Sequence, residues 1–69
     1  MKLIYLIRDN CHDEILGAAT SYDRALSYAF TYLLQYNSQE EALEELKNMQ
    51  DENYCGDTQL SIISVPFVE

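Results

Sequence analysis

The chain has no tryptophan, one proline, two glycines and only four lysine or arginine residues among 69. The shortages of cations and of glycine each remove a class of function. Set against twelve acids, the few cations leave a formal net charge of −8. Phosphate backbones and anionic membrane surfaces are repelled by such a chain, so neither direct nucleic-acid binding nor membrane association is expected. Gly17 and Gly56 stand alone, so no glycine-rich loop is available to cradle a phosphate. The opening "MKLIYLIRDN" holds only five consecutive apolar residues before Arg8 and Asp9, too few for a signal-peptide core or a bilayer span. The cytoplasm is the expected location, with Cys11 and Cys55 as thiols.

Chemistry-bearing residues are few. "NCHDE", residues 10–14, offers zinc-ligand types in Cys11, His12, Asp13 and Glu14, with Cys55 far along the chain. It lacks the C-x-x-C or H-x₃-H spacing of a metal site, and adjacent residues rarely bind one ion well. A cysteine–histidine nucleophile pair is normally assembled from separate parts of the chain. The segment is read as a polar hairpin turn with a solvent-facing histidine. No catalytic residue, metal or cofactor is expected.

What is present is the composition of a folded domain, 48% hydrophobic and 23% charged. At this length residues 1–69 make one domain, only marginally stable alone, so a homodimer is a natural second expectation. "KLIYLIR", residues 2–8, reads as a strand covered on both faces or central in its sheet. Residues 14–20 form a weaker second strand after the turn. Thr20 and Asp23 pair like a capping box, predicting a helix to about Tyr36, with Asn37 ending it in the left-handed conformation. Ser38 and Glu41 repeat the box and predict a second helix to about Asp51. In "TQLSIISVPFVE" the Leu60/Ile62 alternation shifts to Ile63/Val65/Phe67, predicting a bulged strand, and Pro66 favours a sheet edge. The fold class is α+β: a β-β-α-α-β chain whose three-stranded sheet, order 2-1-3, carries two helices on one face.

On the first helix Tyr22, Leu26, Ala29, Phe30 and Leu33 share a face that should cover the sheet, with Arg24, Ser27 and Thr31 opposite. Tyr28, Tyr32 and Tyr36 form a flank at i, i+4, i+8 spacing. The second helix covers it or frames its edge, unless the flank is itself a partner surface, for which tyrosine is well suited. The second helix has a thin apolar seam of Ala42, Leu43, Leu46 and Met49. Its other sides carry Glu40, Glu41, Glu44 and Glu45, followed by Asp51, Glu52 and Asp57, against one base, Lys47. Glu40 and Glu41 are favoured by the helix dipole. Glu40/Glu44 and Glu41/Glu45 are like-charge pairs costing about 0.2–0.5 kcal/mol each. Asp51 and Glu52 at the negative end of the dipole each cost about 0.3–1 kcal/mol. From Glu40 to Glu52 a helix rises about 18 Å. Its net charge of −5 over that span is about one charge per 3.6 Å, close to the ~3.4 Å spacing of phosphates along a nucleic-acid strand.

"ILGAATSYDRALSYAFTYL", residues 15–33, resembles a pattern in many small bacterial and phage proteins, in which a strand ending in glycine and small or aromatic residues runs into Ser/Thr-x-x-acid-x-Ala and a helix. Ala19 stands where an aromatic is common, and the second helix departs from the simplest β-β-α-β form. In size, charge and layout the chain also resembles the small acidic anti-defence proteins of phages and mobile elements, anti-CRISPRs among them. That resemblance implies a non-enzymatic inhibitor, acting in the host cytoplasm if phage-encoded. It would block a basic surface of a nucleic-acid-handling protein such as a CRISPR effector. The residues expected to bind are Glu40, Glu41, Glu44, Glu45, Asp51, Glu52 and Asp57, with Tyr28, Tyr32 and Tyr36 as apolar anchors. The alternative is a homodimeric structural or regulatory module using the tyrosine flank or the edge of the last strand.

Overall fold

The computed structural model describes residues 2–67. Strand β1 (Lys2–Asp9) lies between β2 (Glu14–Ala19) and β3 (Leu60–Phe67), giving an antiparallel sheet of order β2-β1-β3. Helices α1 (Tyr22–Leu33) and α2 (Gln39–Gln50) follow the hairpin and pack against one face of that sheet. The fold is α+β in the order read from the sequence. The last strand runs antiparallel to β1, and its outer position accommodates Pro66, which has no N–H to donate.

The core shows which face the helices cover. Ile7 and Leu60 from the sheet are buried against Ala25, Ala29 and Leu33 of α1 and Ala42 of α2, with Tyr5, Leu16, Ala19, Phe30, Leu46, Met49 and Ile62 packed around them. Three of the six buried apolar residues are alanines, which lets the helices approach the strands closely. Ala25, absent from the face read on the helical wheel, is fully buried. Leu43 is 51% exposed and lies outside the α2 seam to which the periodicity assigned it. The seam runs through Ala42, Glu45, Leu46 and Met49 instead.

Four local expectations are corrected. The N-cap of α1 is Ser21, whose hydroxyl accepts from the Arg24 N–H at 3.2 Å, so the helix begins one residue later than the Thr20–Asp23 pairing indicates. The helix ends at Leu33 rather than Tyr36, where i→i+3 bonds from Gln35 and Tyr36 to Tyr32 and Leu33 tighten the chain. Asn37 is not left-handed: among the described residues Asp13 is the only non-glycine with positive φ. Its side-chain amide instead donates to the Leu33 carbonyl at 3.0 Å, closing the helix end by another route. The bulge lies not in β3, whose register with β1 is continuous, but in β2 opposite Ile7 and Arg8, where Leu16 is the extra residue. The α2 start is as the sequence indicates, a reciprocal capping box between Ser38 and Glu41.

The missing bulge in β3 has a consequence. With no break in register, Leu60 and Ile62 face the helices while Ile63, Val65 and Phe67 occupy the other side. Ile4 and Leu6 of β1 and Ile15 and Ala18 of β2 fall on that same side by their pairing with Val65, Ile63, Arg8 and Leu6. What looks like a phase shift in the sequence is a strand apolar on both faces.

Candidate interaction surface

The acidic segment divides by what the fold asks of each carboxylate. Glu41 accepts the Ser38 backbone N–H at 3.1 Å, and this bond, with the Ser38 hydroxyl, holds its carboxyl below the usual range. Glu45 is half-buried and accepts the backbone N–H of Gln59, tying α2 to the residue before β3. Asp51 is the C-cap of α2 and accepts from the Asn53 N–H at 2.9 Å, starting the loop that returns to the sheet. Those three are committed internally. Glu40, Glu44, Glu52 and Asp57 are exposed and make no hydrogen bond or ion pair among the described residues. Lys47 forms no ion pair with Glu44 or Asp51 there either, so the negative charge of this surface is not neutralised from within. Leu43 sits exposed among these acids.

The tyrosine flank is divided in the same way. Tyr28 donates its hydroxyl to the Leu16 carbonyl at 3.0 Å, and its ring lies over Gly17, where a Cβ would meet the ring at 3.2 Å. Tyr32 donates to Asp9 Oδ2 at 3.2 Å; burial, and then the Asp9 charge, push its phenol upward. Tyr36 is 71% exposed, with its ring 5.4 Å from that of Tyr32. Of the three, Tyr36 is the one offered most fully to solvent, at the end of α1 that leads into the acidic helix.

Sequence reasoning missed Asp9 as a structural hub. Its side chain is almost wholly buried, yet Oδ1 accepts from the Cys11 and His12 N–H groups at 2.9 and 3.2 Å, forming the turn that closes the hairpin. Oδ2 meets His12 Nδ1 at 2.8 Å as well as the Tyr32 hydroxyl. The His12 bond does most to hold Asp9 low, and the same bond raises His12. Asn10 ties the turn to β3 through the Thr58 carbonyl and Ser61 Oγ at 3.0 and 2.7 Å, while Arg8 pairs with Asp13. The available signal was the D-N-x-H pattern of an Asp-led turn, which says nothing of a tyrosine 23 residues away. Cys11 and Cys55 are exposed free thiols. Among the described residues no three His, Cys, Asp or Glu side chains converge as a metal set.

Comparisons of the chain with protein-family models, with curated proteins and with solved structures give no match. Its surfaces therefore have to be read from their own chemistry. Among the described residues no helix is long and apolar enough to cross a membrane.

Proposed function

We propose that this protein is a non-enzymatic binding protein whose α2 side docks on a basic, nucleic-acid-binding surface of a partner protein. The observation that carries this reading is the set of exposed carboxylates without internal partners: Glu40 and Glu44 in one row of the helix, then Glu52 and Asp57 in the loop beyond it. Glu40 and Glu44 are held on a helix anchored by a capping box and by the Glu45–Gln59 bond, and the loop that carries Glu52 and Asp57 starts from the Asp51 cap of that helix. Exposed Leu43 and Tyr36 supply apolar contact beside the charges. A lysine- and arginine-lined groove that receives phosphates would accept this row in their place. The resemblance in size, charge and layout to anti-defence proteins makes a CRISPR effector the first partner to test.

The test is capture from a cell extract on immobilised chain, followed by affinity measurement against the captured protein. Binding is expected to weaken at least about tenfold between roughly 0.1 and 0.5 M salt, and to be competed by single-stranded nucleic acid. Glu40→Lys, Glu44→Lys and Glu52→Lys combined should abolish it with the circular dichroism spectrum unchanged. Glu45 is excluded from this set because its reversal would damage the fold. Full binding by the folded triple variant would sink the reading.

A further inference from the structure

The sheet has helices on one face alone. On the other, Ile4 and Leu6 of β1 are flanked by Ile63 and Val65 of β3 and Ile15 and Ala18 of β2. Ile15, Ile63 and Val65 are 52, 39 and 38% exposed. A half-solvated antiparallel sheet normally alternates apolar and polar residues; here the middle of β1 and of β3 is apolar on both faces, with Lys2, Arg8 and Ser61 confined to the ends of the open side. We infer that this face is the interface of a homodimer, in which two sheets pack face to face to make an α/β/β/α sandwich.

Three observations favour a second copy as the occupant. The first is area. Three strands about 4.8 Å apart and up to eight residues long span a footprint of about 14 × 27 Å, so two such faces with their side-chain relief remove on the order of 1,000 Å² from water. That total reaches the roughly 1,000 Å² threshold of a biological interface, and the share of one copy, about 500 Å², is at the upper end of the largest apolar patch a monomer ordinarily leaves exposed. The second is charge. Two copies carrying −8 each should repel, yet among the described residues the strands place no carboxylate on this face: Asp9 and Glu14 lie on the helix side, and Asp13 sits in the turn paired with Arg8. The acids of α2 lie across the sheet from it, so face-to-face packing puts the two negative surfaces as far apart as the fold permits. Arg8, on the open side at one end of β1, is already neutralised by Asp13, and the patch of Ile4, Leu6, Ile63 and Val65 beyond it carries no charge to oppose an isologous contact. The third concerns the alternative of edge pairing. Pro66 removes a donor from the free edge of β3, so association through the face is preferred over association through that edge.

The full chain should sediment and scatter light as a species of twice the chain mass, and raising salt from about 0.1 to 1 M should preserve or tighten the dimer, because salt screens only the repulsion. Ile63→Lys with Val65→Lys should convert it to a folded monomer. Leu43→Lys on α2 should leave the dimer intact, as should the Glu40/Glu44/Glu52 reversal, so loss of partner binding and loss of dimerisation are separately readable. Wild-type chain, half of it isotopically labelled, should give methyl contacts between copies among Ile4, Leu6, Ile63 and Val65; this arm needs no variant to fold. A monomer at concentrations up to about 1 mM overturns the inference. So does a dimer that survives in the folded double-lysine variant, or one without those intermolecular methyl contacts.

Discussion

The imidazole of His12 approaches the buried carboxylate of Asp9 at 2.8 Å, Nδ1 to Oδ2, from a side chain that is otherwise largely in solvent. The pair makes stability pH-dependent in a definite sense. The raised His12 contributes fully below its ordinary value of 6.5, and its contribution is lost as pH rises through the higher folded value. The lowered Asp9 contributes above 3.8 and loses that contribution as pH falls through its folded value. Thermal stability from this pair should therefore peak between those two values and decline on the alkaline side. Melting curves across about pH 4.5 to 8.5 should show the decline in the native chain and a flattened alkaline limb in His12→Ala.

Tyr32 meets the same carboxylate from α1, so Tyr32→Phe leaves Asp9 with one fewer donor in a buried position. A loss of about 1–2 kcal/mol in denaturant unfolding is expected, with the fold retained. An unchanged midpoint would mean that the hydroxyl contributes nothing net at this site.

Glu44 and Glu45 are adjacent in sequence and opposite in role. Glu45→Ala should cost about 1 kcal/mol, because the Gln59 N–H loses a charged acceptor. Glu44→Ala should change stability by less than about 0.5 kcal/mol. Paired urea titrations decide this, and equal costs would contradict the division of the acidic surface.

Ser38→Ala removes the hydroxyl that accepts from the Glu41 N–H at the start of α2, while the residue-38 N–H can still donate to the Glu41 carboxylate, and should cost about 1 kcal/mol. For a domain of this size that corresponds to a melting temperature lower by about 4–8 °C. Helix content at low temperature should be preserved, since α2 is also held by Ala42, Leu46 and Met49.

Gly17 is covered by the Tyr28 ring, so Gly17→Val forces the ring away and strains the Tyr28–Leu16 bond. An overpacking cost of about 1–3 kcal/mol is expected. Gly17→Val in a Tyr28→Ala background should recover part of it, and additive costs would show that the ring is not the obstacle.

Element order, strand order and the α2 capping box were legible in the sequence because they rest on short-range chemistry: hydrophobic period, a serine three residues before a glutamate, a proline restricted to an edge. The limits of α1 were less so. Thr20 and Ser21 are both competent caps, and the choice between them depends on where β2 releases the chain, which its bulge at Leu16 alters. Leu43 illustrates a related ambiguity, since periodicity marks an apolar position without saying whether a neighbour covers it.

Local pattern is enough to specify a small acidic α+β domain whose negative charge concentrates from Glu40 onward. Which charges are already committed depends on long-range contacts, since Glu45 finds the Gln59 amide and Asp9 finds Tyr32 across distances that local pattern does not encode. Tertiary packing also decides the meaning of the continuous apolar run in β1. That run is compatible with burial on both faces or with a central position. The helices occupy one side of the central strand, leaving Ile4 and Leu6 against an open face. The physical reason is that two twelve-residue helices, each amphipathic along one stripe, have apolar surface enough for a single layer.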